Sequence, residues 1–145
     1  LYKNFREFAY KARRQKYILL GSNIGREVRL SKDVQISYPK NLSISENTWI
    51  GRGTTISARK SIKIGKGCQI APYCAIYDND HSMPLPSGKG HGLGKISIGD
   101  YTWIGYNSII LKNVKIGKNV TIGAGSVVTK NVADNHIVAG VPAKK

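Results

Sequence analysis

The stretch ISIGDYTWIGYNSIILKNVKIGKNVTIGAGSVV, Ile96 to Val128, places Ile98, Ile104, Ile110, Ile116, Ile122 and Val128 at strict six-residue steps. Toward the N-terminus the same unit opens at Ile76, Ile70, Ile64, Ile56, Ile50, Ile44, Ile36, Leu30 and Ile24. In twelve of these fifteen units the second residue is Gly, Ser or Ala, and in twelve the fifth is Val, Thr, Ser or Cys. Whole columns therefore repeat, and a fixed period decides the fold before local propensity does. Six residues are too few for a helix pair or a propeller blade. They suit a parallel β-helix, in which each unit is one short strand and a corner.

Each column has a physical task. The Ile fills a narrow interior and fits a pleated surface. The small residue after it is expected to turn the corner, with Gly supplying φ > 0 there. The fifth residue points inward where space is short. Three strands close one triangular coil, which predicts five coils at 24–41, 44–61, 64–81, 98–115 and 116–133. The expected organisation is all-β: a basic, helical N-terminal cap over 1–23, a β-helix over 24–133 and a C-terminal segment over 134–145.

The departures from register share one corner. Ile24, Ile44 and Ile64 lie twenty residues apart instead of eighteen. The additions fall in Ile36-Ser-Tyr-Pro-Lys-Asn-Leu-Ser43 and Ile56-Ser-Ala-Arg-Lys-Ser-Ile-Lys63. The third equivalent corner, Ile76-Tyr-Asp-Asn-Asp-His81, runs out into a loop over 82–95. One edge is thus elaborated, and loops on a rigid scaffold are where function concentrates.

Composition narrows the classes. The chain has 145 residues, one domain's worth, and no apolar run long enough to span a membrane. Cys68 and Cys74 both occupy the inward fifth column and read as small core residues in a reducing, cytoplasmic setting. The chain opens at Leu1 without a Met, so no targeting signal is read from it. The net charge of +15 speaks to partners. Residues 1–20 hold Lys3, Arg6, Lys11, Arg13, Arg14 and Lys16 against Glu7 alone, interleaved with Phe5, Phe8, Ala9 and Ala12 at helical spacing. That pattern is either a cap on the first coil or an amphipathic helix for an anionic membrane surface. No nucleic-acid motif accompanies it.

Asp80-His81 ahead of the loop, Trp103-Ile-Gly105, Ile122-Gly-Ala-Gly-Ser-Val-Val-Thr-Lys130 and Ala139-Gly-Val-Pro-Ala-Lys144 closely resemble the galactoside/maltose O-acetyltransferase group of hexapeptide-repeat acyltransferases, which includes polysaccharide and O-antigen O-acetyltransferases. The resemblance implies a left-handed β-helix, an exception to the usual right-handed crossover. It also implies a homotrimer, acetyl-CoA as co-substrate, a saccharide acceptor and no metal. His81 matches the family's catalytic base, and imidazole suits that task because it titrates near neutrality. Asp78 or Asp80 is a candidate to orient its ring, while Asp80 has a second candidate role in holding corner amides. By resemblance, a backbone N–H near Gly105–Tyr106 serves the oxyanion and Trp103 lines the cleft. The resemblance likewise implies that Ala124, Thr129, Lys130 and Lys144 contact acetyl-CoA. His91 reads as a loop residue and His136 as a turn residue.

The chain also departs from the group. Gly51-Arg-Gly-Thr-Thr55 stands where the sugar-binding enzymes are rich in Asn, Ser82 replaces a Pro, and Ala133 replaces another. Acceptor identity is what these changes affect, and Arg52 suits an anionic one. Serine acetyltransferase and sugar N-acyltransferase remain alternatives. A γ-carbonic-anhydrase-like protein needs three His converging on a metal, which His81, His91 and His136 are poorly placed to do. A non-catalytic ice-binding β-helix needs flat Thr arrays that this chain lacks.

Overall fold

A computed structural model of the chain describes residues 2–80 and 92–145. One helix, α1 (Tyr2–Leu19), precedes a triangular solenoid of three parallel sheets. Face I stacks Asn23–Ile24, Leu42–Ile44, Ser61–Ile64, Lys95–Ile98 and Lys115–Ile116. Face II stacks Arg29–Leu30, Trp49–Ile50, Gln69–Ile70, Trp103–Ile104, Thr121–Ile122 and Ile137–Val138. Face III stacks Gln35–Ser37, Thr55–Ser57, Ala75–Tyr77, Ile109–Ile110 and Val127–Val128.

The register puts each opener over the next. Ile24, Ile44, Ile64, Ile98 and Ile116 form one column of face I. Leu30, Ile50, Ile70, Ile104 and Ile122 form the column of face II. All fifteen openers are buried except Ile36, which is half-buried beside Tyr17 in the first coil. Each buried Ile contributes about 1.5–3 kcal/mol. The β-structure continues beyond residue 133: Ile137–Val138 pairs with Thr121–Ile122, so Val138 sits under Ile122.

One expectation about the corners is corrected. Positive φ falls on the fourth residue of the unit, not the second. Glu27, Asp33, Asn47, Gly53, Gly67, Tyr73, Tyr101, Asn107, Asn113, Asn119 and Gly125 all carry it. The small second residue answers to crowding instead: a Cβ on Gly105 would lie 2.6 Å from the Ala124 nitrogen of the next coil. The two-residue additions stay within the wall of the prism. They lengthen face I by one strand period, so every inward side chain stays inward. Leu42, Ile62 and Ile96 become an extra buried column there.

Helix α1 caps the open end. The first coil has no coil above it, and exposed strand edges need cover. Arg14 Nε donates to the Gly25 carbonyl at 2.8 Å, and Arg13 Nη1 to that of Leu30 at 3.3 Å. The buried Tyr17 hydroxyl donates to the Val34 carbonyl at 3.1 Å. Part of the basic helix is therefore committed to capping. Phe5, Phe8 and Leu19 are nonetheless 71%, 69% and 78% exposed. No helix among the described residues is long and apolar enough to cross a membrane.

Candidate active site

The elaborated edge lies where face III passes into face I. Its keystone is Asp78, fully buried at the end of Ala75–Tyr77. Its Oδ1 accepts the Arg59 N–H at 2.8 Å, and its Oδ2 accepts those of Lys60 and Ser61 at 2.8 and 2.7 Å. The corner-amide role expected of Asp80 is thus filled by Asp78. Asp80 is exposed and pairs with Lys112 Nζ at 2.7 Å. That lysine holds the Asp80 carboxyl below its usual range, so it is ionised at neutral pH, and the pairing weakens only as pH falls through the lowered value.

The loop begins as a hairpin, Asn79–Asp80 antiparallel to Gly92–Leu93, earlier than its expected start and returning before its expected end at residue 95. Ser57 Oγ donates to Asn79 Oδ1 at 2.8 Å, and Gly94 N–H to the Asp78 carbonyl at 2.6 Å. A side chain at Gly92 would run into the Asp80–Lys112 pair. The chain is therefore clamped up to the residue before His81. His81 itself, His91 and loop residues 82–91 lie outside the described residues.

The second set of candidates sits at the other end of face III, where face II turns into it. Gly105 is buried and commits its N–H to the Ile122 carbonyl at 2.8 Å. The Tyr106 N–H has no hydrogen-bond partner among the described residues, and the Tyr106 carbonyl accepts Gly125 N–H at 2.8 Å. The Tyr106 ring meets Tyr73 edge to face, centroids 5.6 Å apart. Trp103 is 54% exposed on face II, in one outward column with Gln69 and Trp49. Trp49 is more covered and donates its Nε1–H to Ser31 Oγ at 3.0 Å.

Within one chain these two sets do not meet. Gly105–Tyr106 stack between Ala71–Tyr73 and Gly123–Gly125, whereas Asp80 pairs with Lys112, beyond the Ile109–Ile110 strand. The width of face III separates them. Asp80 and the Gly105–Tyr106 amides thus occupy different corners of the prism.

The cofactor candidates divide the same way. Exposed Ala124 lies directly under Gly105. The C-terminal segment folds back beside it: Gly123 N–H donates to Val138, Val127 N–H to Gly140, and Ala139 and Lys144 exchange two bonds at 2.9 Å. Thr129 and Lys130, both exposed, follow Val127–Val128 at the far corner. Cys68 and Cys74 are free and buried, and burial pushes both thiols above their ordinary pKa. His136 sits in a turn, its Nδ1 2.9 Å from the Asp134 carbonyl. Among the described residues no three His, Cys, Asp or Glu side chains gather to hold a metal.

Sequence reasoning missed Lys112 and Tyr73. Lys112 is legible once the loop is excised, because Ile110 over Ile76 puts position 112 beside Asp78–Asp80. Tyr73 carries φ 60, and its ring covers Gly53.

The solenoid has the left-handed β-helix fold, and its residues 95–130 match the model of the bacterial transferase hexapeptide family (six repeats). Solved structures add detail. A maltose O-acetyltransferase from Clostridium difficile is 29% identical with a TM-score of 0.86, the alignment covering 93% of this chain and 73% of that one. A galactoside acetyltransferase in complex with coenzyme A is 29% identical with a TM-score of 0.76, covering 84% and 62%. A mutant N-acyltransferase from Bacillus cereus, in complex with dTDP-4-amino-4,6-dideoxyglucose and coenzyme A, is 25% identical with a TM-score of 0.72, covering 90% and 86%. The structural neighbours of this chain are thus maltose and galactoside O-acetyltransferases and related hexapeptide-repeat acyltransferases.

Proposed function

We propose that the chain is an acetyl-CoA-dependent acetyltransferase that moves the acetyl group directly to a saccharide hydroxyl, working as a homotrimer with its sites between subunits. The observation that carries this reading is the division of the candidate residues between two corners of one prism. A trimer joins the face III/I corner of one subunit to the face II/III corner of the next. It also covers the exposed Tyr73, Trp103, Tyr106 and Ile109, which make the second corner apolar.

In this reading His81, next in sequence after the clamped Asn79–Asp80 strand, takes the proton of the acceptor hydroxyl as the oxygen attacks the thioester carbon. Asp80 is the carboxylate that remains exposed near it, since both oxygens of Asp78 are committed to amides. The oxyanion accepts the Tyr106 N–H of the neighbouring subunit, a preorganised donor. Collapse expels the CoA thiolate, which recovers the proton from the imidazolium. No acyl-enzyme is needed. Ala124 flanks the pantetheine arm, and Lys130 and Lys144 meet phosphates as point charges. The same base serves an amine, so sugar N-acylation is the second reading, supported by the likeness to the N-acyltransferase bound to an amino-sugar nucleotide.

His81→Ala tests the assignment. Turnover of acetyl-CoA with an accepted saccharide is expected to fall by about 10²-fold or more, with fold and acetyl-CoA affinity kept. Near-wild-type turnover of the folded variant would remove His81 as the base. Buried thiols suit a reducing compartment, so we place the reaction in the cytoplasm. The exposed Phe5, Phe8 and Leu19, with Lys11 and Lys16 on the same helix, support contact with an anionic membrane surface. Equal sedimentation with anionic and neutral vesicles would exclude that contact.

A further inference from the structure

Helix α1 does more than close the first coil. It also overhangs the face II/III corner, and the space beneath it is a cavity of about 310 Å³. Arg6, Arg13, Lys32 and Arg52 line it, with Trp49 and Tyr10, and no carboxylate does. A larger cavity of about 510 Å³ shares Arg6, Tyr10 and Trp49, but Glu27 joins Arg6 and Arg29 there. The smaller one is therefore the unbalanced one. Arg13 is occupied with the Leu30 carbonyl. Among the described residues no carboxylate lies within 4.0 Å of Arg6, Lys32 or Arg52. Four cations beside one another repel, and that arrangement favours an incoming anion.

The place matters as much as the charge. Lys32 and Arg52 are the third residues of their units at the same corner that carries Tyr106 two coils below Arg52. The backbone records the stack: Gly53 N–H donates to Lys32, Tyr73 N–H to Arg52 and Asn107 N–H to Pro72. The cavity is thus the upper continuation of the edge on which the acetyl-transfer site is placed. Trp49, half-buried with its indole N–H tied to Ser31, offers a fixed aromatic surface there.

Resting on the acetyltransferase reading, the geometry points to this groove as an acceptor subsite for an anionic saccharide: Arg52, Lys32 and Arg6 hold a carboxylate or phosphate group, and Trp49 packs against the apolar face of a sugar ring. The anion sits above the reacting hydroxyl, so it selects the acceptor and leaves acetyl-CoA binding alone.

The test uses the whole protein at low salt, with glucuronic acid, glucose 6-phosphate and glucose as probes in ligand-observed NMR titrations. At least one charged sugar binds at least about tenfold more tightly than glucose, and the tighter of the two identifies the anion as carboxylate or phosphate. Arg52→Gln and Lys32→Gln each weaken that binding about five- to tenfold. Lys63→Gln, which removes the same charge from face I, does not. Equal binding of glucose, or equal effects of Arg52→Gln and Lys63→Gln, overturns the proposal. Acetyl-CoA is titrated separately into the same proteins. Unchanged affinity in Arg52→Gln supports the division between subsites, and a loss there overturns it. Failure of the wild type to bind acetyl-CoA at all strikes the acetyltransferase reading and not the charged groove, which the sugar titration reads alone.

Discussion

Replacing Asp78 by Asn separates a structural carboxylate from a catalytic one. Asp78 is wholly buried and its two oxygens accept three backbone N–H groups at 2.7–2.8 Å. Asn keeps the shape, and its single oxygen can take the place of Oδ2 and serve Lys60 and Ser61. Those two bonds lose their charge assistance, worth about 1 kcal/mol each. The amide NH₂ then faces the Arg59 N–H, donor against donor, leaving a buried group unpaired at about 1–3 kcal/mol. The sum is about 3–5 kcal/mol, which lowers Tm by about 10 °C in a chain of this size. Asp80→Asn, on an exposed group, is expected to change Tm little. Thermal and urea unfolding at matched protein concentration read both. A melting temperature for Asp78→Asn within about 2 °C of wild type would refute the keystone role. If catalytic rate then fell with stability intact, Asp78 would be a ring-orienting carboxylate instead.

Lys130→Ala and Lys144→Ala are each expected to weaken acetyl-CoA binding by about tenfold in calorimetric titration, with a smaller effect on the acceptor, because they lie far from the reacting carbon. Unchanged affinity in both refutes their placement. Light scattering should report three times the monomer mass, and a monomer at working concentration sinks the shared site.

The columns of the fold were readable because the interior of a narrow solenoid tolerates so few residues. An Ile every six positions, with Thr48, Thr54, Cys68, Cys74, Ser108 and Ser126 in the tight inward column, leaves one way to coil. The corner chemistry was less legible. Gly and Ser after each opener look like turn residues, yet the turn is made two positions later by residues as large as Tyr73 and Tyr101, while the glycines make room for the next coil. Asp78 fills the corner-amide role considered for Asp80 because the inward column ends at that corner. Whether a side chain is buried there depends on the hairpin, which no six-residue count contains. The groove under α1 was hidden for a similar reason. Arg6 and Arg52 are 46 positions apart (52 − 6), and only the path of the helix across the first coil puts them together.

The account stands on sites assembled from two corners of different subunits, and cross-complementation tests that directly. Tyr106→Pro removes the N–H that no described group accepts, at a position whose counterpart one coil above is already Pro72. It should fold, and it should lose about 10²–10³ in turnover, as His81→Ala loses about 10² or more. The two variants, differently tagged and co-expressed, are purified as mixed trimers. In every mixed trimer one of the three sites, about a third, pairs an intact His81 with an intact Tyr106 across a subunit boundary. The account predicts acetyl transfer recovering to about a third of wild type. Mixed trimers no more active than either parent would contradict it.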